Sequence, residues 1–120
     1  MRSLDLGPLD GRVTVLGTPD EVDAFLDQHP DCVVFKVGSC HRTDDALAEI
    51  QGPLAERPEL PVAFIDAVAA RPASRHVAHR ARVEHASPQV ILFRQGEARY
   101  SRDNYKISGV SLREELSSLR

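Results

Sequence analysis

The sequence predicts an α/β protein with a central mixed sheet and helices on both faces. Short β-branched runs alternate with stretches of helical periodicity, the pattern of strands joined by crossover helices. Two of those runs, CVVFKV at 32–37 and PVAFID at 61–66, are apolar almost throughout, as strands covered on both sides are. The last two runs are separated only by Gln95-Gly96, a hairpin turn that brings antiparallel pairing into an otherwise parallel sheet.

The elements follow in order. Residues 12–16, RVTVL, alternate apolar positions and form a first short strand. Thr18-Pro19-Asp20-Glu21 supplies a cap, a proline for the first turn and a capping-box glutamate, so a helix starts there with Val22, Phe25 and Leu26 on its apolar face. His29-Pro30-Asp31 ends it, and the 32–37 run is the second strand. Gly38-Ser39 turns the chain, and from about Thr43 the apolar positions Leu47, Ile50 and Leu54 mark a second helix, which Gly52-Pro53 should kink or divide because proline removes a backbone donor. The 61–66 run is the third strand. After Arg71-Pro72-Ala73, residues 74–82 form a basic helix with a thin apolar face of Val77, Ala78 and Ala81. The hairpin pairs 90–93 with 98–101, and a closing helix is capped by Ser111-Leu112-Arg113-Glu114 over Leu112, Leu116 and Leu119. The order β-α-β-α-β-α-β-β-α is that of a thioredoxin-like fold.

Composition narrows the function. The 120 residues, 42% hydrophobic and 28% charged, suit a single domain over residues 1–120 with one core. A net charge of -3 argues against a nucleic-acid surface, which needs a concentrated basic face. No apolar run reaches the length of a membrane span or of a signal-peptide core, so no membrane association is expected and the location is expected to be cytoplasmic, the chain a monomer. Two cysteines do not make a disulfide framework, and each thiol is judged by its setting.

Cys40 follows the 32–37 strand after a short turn and precedes a helix. That position puts its sulfur near unpaired backbone N–H groups and the positive end of the helix dipole, which favour thiolate. Lys36 and the pair His41-Arg42 are expected to lower the thiol pKa further. The competing reading is a half-buried structural cysteine in a turn. Cys32 opens the strand and reads as a small buried apolar residue; the strand between the two sulfurs, at about 3.3 Å per residue, would have to unfold for a direct disulfide. His85-Ala86-Ser87-Pro88-Gln89 precedes the strand at 90–93. A cis Ser87–Pro88 bond there would turn a tight bend toward the Cys40 loop, although most X-Pro bonds are trans.

The stretch from Arg71-Pro72-Ala73-Ser74 to Val83-Glu84-His85-Ala86-Ser87-Pro88-Gln89-Val90, followed by a strand, a glycine turn and Ser101, resembles the monothiol bacilliredoxins, as does Phe35-Lys36 ahead of Cys40. The resemblance runs from about residue 32 to 112. The family's active loop reads Cys-Pro-Ile-Ser where this chain has Cys40-His41-Arg42-Thr43, and Ala86 stands where the family has glutamate. The resemblance implies a thioredoxin-like thiol-disulfide oxidoreductase that takes bacillithiol from protein mixed disulfides through Cys40, with Lys36, Ser39, His41, Arg42, Thr43, His85, Ser87 and Pro88 around the substrate. It also makes Pro88 a cis-proline, against the ordinary expectation. Bacillithiol and bacillithiolated proteins are then the partners, bacillithiol as co-substrate, with no metal or organic cofactor.

Other constellations carry less. His76 and His79 lie three apart on the basic helix, but no Cys-x-x-Cys pair completes a zinc set. Ser87 near His85 lacks the strand-turn-helix elbow and the third acid of a hydrolase. The run Arg71, Arg75, His76, His79, Arg80, Arg82 is either a solvated face or a positive field guiding an anionic thiol. The rival function, suggested by the altered loop after Cys40, is a thioredoxin-like stress or adaptor module whose Cys40 is a redox sensor or vestigial.

Overall fold

The computed structural model describes residues 4–118. After a 3-10 turn at Gly7–Leu9, the chain forms β1 (Val13–Val15), α1 (Pro19–Gln28), β2 (Cys32–Val37), α2 (Arg42–Ala55), β3 (Val62–Asp66), α3 (Arg71–Ala81), β4 (Gln89–Arg94), β5 (Glu97–Asp103), a second 3-10 turn at Asn104–Lys106, and α4 (Gly109–Ser118). The five strands lie in the order β1-β3-β2-β4-β5. β1, β3 and β2 run parallel, whereas β4 is antiparallel to β2 and β5 to β4. This is the expected mixed α/β sheet, and its element order matches the sequence pattern.

β2 occupies the middle and is buried along its whole length, which is why its sequence is apolar on both faces rather than alternating. Val33, Phe35 and Val37 point into one core with Leu47, Ile50 and Leu54 of α2 and Leu112 and Leu116 of α4. Cys32 and Val34 point into the other, with Val22 and Leu26 of α1 and Val77 of α3. The strand ends at Val37, and from Gly38 the chain turns into α2 on the first of these faces.

Local signals explain most boundaries. Thr18 Oγ1 accepts from the Glu21 N–H at 3.1 Å, while Glu21 Oε1 accepts from the Gly17 N–H at 2.7 Å, so the capping pair closes α1 one residue further back than the usual box. Gln95 and Gly96 both have positive φ, 55° and 82°, the backbone of a two-residue hairpin turn whose twist suits the strands on either side.

Three boundaries differ from the sequence pattern. α2 is not divided at Gly52-Pro53: Pro53 lies inside it. Proline leaves the carbonyl four residues earlier, that of Glu49, without its intrahelical donor, and the backbone of Gly109 packs on that carbonyl so closely that a Cβ there would lie 2.7 Å from the oxygen. The last carbonyls of α2 and of the turn after it are also claimed: Arg12 donates to Leu54 O at 2.8 Å, Arg57 O at 2.9 Å and Leu60 O at 3.0 Å. α3 begins at Arg71 rather than residue 74, because Pro72 is tolerated in a first turn whose N–H groups are unpaired anyway. α4 starts two residues before the expected cap, with Ser108 Oγ accepting from the Ser111 N–H at 3.3 Å. Leu119, expected beneath α4, lies outside the described residues.

Candidate active site

Cys40 lies half-exposed between the end of β2 and the start of α2. The thiol pKa is lowered, first by the backbone N–H of Arg42 directed at the sulfur, then by the Arg42 charge and the Thr43 N–H, against an opposing contribution from burial. These N–H groups belong to the first turn of α2, where donors lack a carbonyl one helical turn earlier; the Thr43 N–H already bonds the Cys40 carbonyl at 3.0 Å, so the Arg42 N–H is the donor that a thiolate chiefly satisfies. Cys32 is the opposite case. It is fully buried, and burial, with a smaller contribution from Asp31, pushes its thiol up to about 12. The two sulfurs belong to opposite ends of β2, and both are free.

The loop is held by three contacts. Thr43 is fully buried, and its Oγ1 accepts from the Gly38 N–H at 2.9 Å, tying the end of β2 to the first turn of α2. Gly38 faces the following loop: a Cβ there would stand 3.1 Å from Thr43 Oγ1, 3.4 Å from Ser87 Oγ and 3.5 Å from the nitrogen of Pro88. The Ser87–Pro88 peptide is cis. The carbonyl of Pro88 in turn accepts from the Asn104 N–H at 3.0 Å, while Asn104 Oδ1 accepts from Arg42 at 3.4 Å. Cys40, Arg42, Thr43, Ser87 and Pro88 are therefore brought into one neighbourhood. The side chains of Ser39 and His41 lie beside it, exposed and without polar partners among the described residues.

Lys36 departs from the expectation that it stands beside the thiol. Its alternation along β2 places it on the α1–α3 side of the sheet, wholly buried, with Nζ 3.0 Å from His85 Nδ1. It is absent from the causes that lower the Cys40 pKa, and the cation beside the sulfur is Arg42. Burial brings the Lys36 amine down to about 8. His85, an exposed residue in the loop before Ser87, is lowered by burial and then by the charges of Lys36, Arg75 and Arg71.

The basic run on α3 does not act as one field. Arg80 is engaged by Asp23 at 2.6 Å and Asp27 at 3.7 Å, and His76 by Asp23 at 2.7 Å. Arg82 lines a groove of about 640 Å³ against the edge strand β5, together with Arg99 and Arg102. That groove is larger than the cleft of about 360 Å³ lined by Arg42, but no cysteine lines it, so its size does not make it the reactive centre. Among the described residues no group of three or more His, Cys, Asp or Glu side chains is arranged to hold a metal ion, and no helix is long and apolar enough to cross a membrane.

Two residues near the thiol escape a reading based on sequence. Asn104 and Tyr105 come from the β5–α4 connection, far from Cys40 in the chain, yet Arg42 donates to the first and lies 5.0 Å over the ring of the second. The only local sign is the asparagine itself, a residue type that tolerates the left-handed backbone found there, φ 49°.

Comparison with known proteins establishes the fold and the family. A solved structure described as an oxidoreductase with a thioredoxin fold superposes with a TM-score of 0.78 at 24% identity, over 88% of this chain and 95% of that one. Thioredoxin O2 from Arabidopsis thaliana in its oxidised state gives 0.71 at 16% identity over 92% and 96%. Thioredoxin from Fasciola hepatica gives 0.69 at 17% over 88% and 98%. At these identities the likeness establishes the fold. No curated protein sequence matches the chain. Residues 14–112 match the family described as monothiol bacilliredoxin BrxC. With most of its length inside that match, the chain belongs to the monothiol bacilliredoxin family, thiol-disulfide oxidoreductases on the thioredoxin fold.

Proposed function

We propose that the protein removes bacillithiol from protein mixed disulfides, with Cys40 as its only working thiol. The Cys40 thiolate attacks the bacillithiol sulfur. The S–S bond of the mixed disulfide breaks, a Cys40–bacillithiol disulfide forms, and the electron pair leaves on the protein sulfur, which takes a proton from water. A second low-molecular-weight thiolate then attacks the bacillithiol sulfur and expels the Cys40 thiolate. The small-molecule disulfide so formed carries away the oxidising equivalent, so neither a metal nor an organic cofactor takes part.

The observation that supports this reading is the contrast between the cysteines. Cys40 is half-exposed with its thiol pKa lowered, whereas Cys32 is buried at the far end of β2 with its pKa pushed up to about 12. A site with one usable thiol suits exchange with a small thiol, which leaves by attack of another small thiol, better than reduction of a protein disulfide, which normally uses a neighbouring cysteine to release the partner. The proposed partners are bacillithiolated proteins and free bacillithiol in a reducing cytoplasm, where such thiols remain available.

The test is release of the small thiol from one carrier protein bearing bacillithiol or, separately, glutathione, followed by intact mass with excess free thiol present. Many turnovers on the bacillithiol adduct, abolished in Cys40→Ser, are expected. One stable adduct per chain and no turnover would instead favour the adaptor or sensor module.

A further inference from the structure

A cleft of about 360 Å³ opens between the first turns of α2 and the β5–α4 connection, lined among others by Arg42, Asp45, Asn104, Tyr105 and Ser108. Arg42 and Asp45 are three residues apart on α2 and so share a face. Arg42 joins the cleft to the reaction, since it stands two residues after Cys40, at the start of α2.

The wall of this cleft is chemically unusual for the molecule. The chain has two tyrosines, four phenylalanines and no tryptophan. Tyr100 and all the phenylalanines are at most 6% exposed, whereas Tyr105 is 82% exposed. One face of its ring is covered by the Arg42 guanidinium at 5.0 Å, a cation–π contact that holds the ring upright. The other face is free. The Asp45 carboxylate has no polar partner among the described residues, and Ser108 adds a hydroxyl that is only half-buried. An open aromatic face, a free carboxylate acceptor and a guanidinium in one small cleft match a ring with an apolar face, hydroxyl groups around its edge and an anionic substituent. The volume is at the lower end of small-molecule sites, enough for one such ring and too small for a folded partner.

We propose that this cleft is a sugar subsite, which seats the hydroxyl-rich ring of the small thiol while its sulfur lies at Cys40. The ring stacks on the open face of Tyr105, its hydroxyls donate to Asp45, and an acidic substituent meets Arg42. The inference rests on the reading of Cys40 as a mixed-disulfide exchange centre and adds which part of the small thiol is recognised. It predicts discrimination: glutathione, a peptide with no ring, and cysteine, with nothing beyond its own backbone, gain little from the cleft.

The experiment compares exchange rates of the parent, Tyr105→Ala, Tyr105→Phe and Asp45→Asn on one carrier protein loaded in turn with bacillithiol, glutathione and cysteine. On the bacillithiol adduct Tyr105→Ala and Asp45→Asn should be slower by about three- to tenfold, the worth of one aromatic or charge-assisted contact. Tyr105→Phe, which keeps the stacking face, should stay near the parent. On the cysteine adduct all variants should remain within about twofold of the parent. The pH profile of Cys40 alkylation in Tyr105→Ala should match the parent, which separates lost recognition from a disturbed thiol. Equal losses on all three adducts, or no loss on any, overturn the subsite while leaving the exchange reaction standing. A parent that releases no bacillithiol overturns both.

Discussion

Lys36 Nζ lies 3.0 Å from Nδ1 of His85, and among the described residues that imidazole is the one polar side chain that meets this fully buried amine. Among the described residues no carboxylate pairs with it. Burial lowers the Lys36 pKa to about 8, and burial and the neighbouring cations lower that of His85, so the neutral imidazole accepts the hydrogen bond.

This pair makes stability depend on pH in a definite direction. Between about 8 and the ordinary lysine value of 10.5, the unfolded chain holds a proton that the folded chain has lost, so the Lys36 contribution to stability rises with pH across that window. Below it the charged, buried amine is least favourable. Lys36→Met is therefore expected to stabilise the protein by about 1–3 kcal/mol at pH 7, with the gain shrinking as pH approaches 10. Urea unfolding at pH 6.5, 8 and 10 measures this. A Met variant that is less stable at pH 7, or whose gain does not fall with pH, would refute it.

The two thiols should separate cleanly by reactivity. Iodoacetamide at pH 7 is expected to place one adduct on the native chain, at Cys40, and a second at Cys32 only in denaturant, since one thiol pKa is lowered and the other raised to about 12 behind a closed surface. Peptide mapping after brief alkylation decides. Comparable labelling of both in the native protein would contradict the assignment.

Arg42 acts on the thiol mainly through its backbone. Because the N–H contribution comes first and the side-chain charge after it, Arg42→Ala should raise the Cys40 pKa but leave it below that of an ordinary cysteine. Arg42→Lys should keep more of the lowering while losing the planar contact over Tyr105. The alkylation rate against pH gives all three values; an Ala variant with an ordinary thiol pKa would mean that the side chain carries the whole effect.

Thr43 offers a stability test close to the site. Thr43→Val preserves shape but removes the acceptor for the buried Gly38 N–H, 2.9 Å away, and leaving such a donor unpaired costs about 1–3 kcal/mol. Thr43→Ser keeps the acceptor and should lose less. If denaturant midpoints show both variants equal to the parent, the hydrogen bond does not hold the loop.

Gly109 should tolerate no side chain. A Cβ would meet the Glu49 carbonyl at 2.7 Å, and backbone cannot swing aside as a side chain does. Gly109→Ala is expected to cost about 1–3 kcal/mol, although alanine is the better helix former. A thermal midpoint at or above that of the parent would show that α2 and α4 can separate without penalty.

The sequence by itself determined the fold class, the order of elements and the place of Cys40 between β2 and α2. Those depend on local rules: the two-faced apolar run of β2, the Thr18-Pro19-Asp20-Glu21 start of α1, the Gln95-Gly96 turn, and a cysteine one turn ahead of a helix. Tertiary structure alone decided what surrounds the thiol. Lys36 is four residues from Cys40, yet the alternation of a strand sends its side chain to the opposite face, where it meets His85. Asn104 and Tyr105 are more than sixty residues from Cys40, yet the antiparallel return through β4 and β5 carries them back to Arg42. The uninterrupted course of α2 through Pro53 was likewise hidden, because the carbonyl that proline frees is covered by a glycine from another helix. Periodicity and capping act over a few residues and can be read along the chain, whereas the charge and the ring beside a sulfur depend on which distant segments the sheet order makes neighbours.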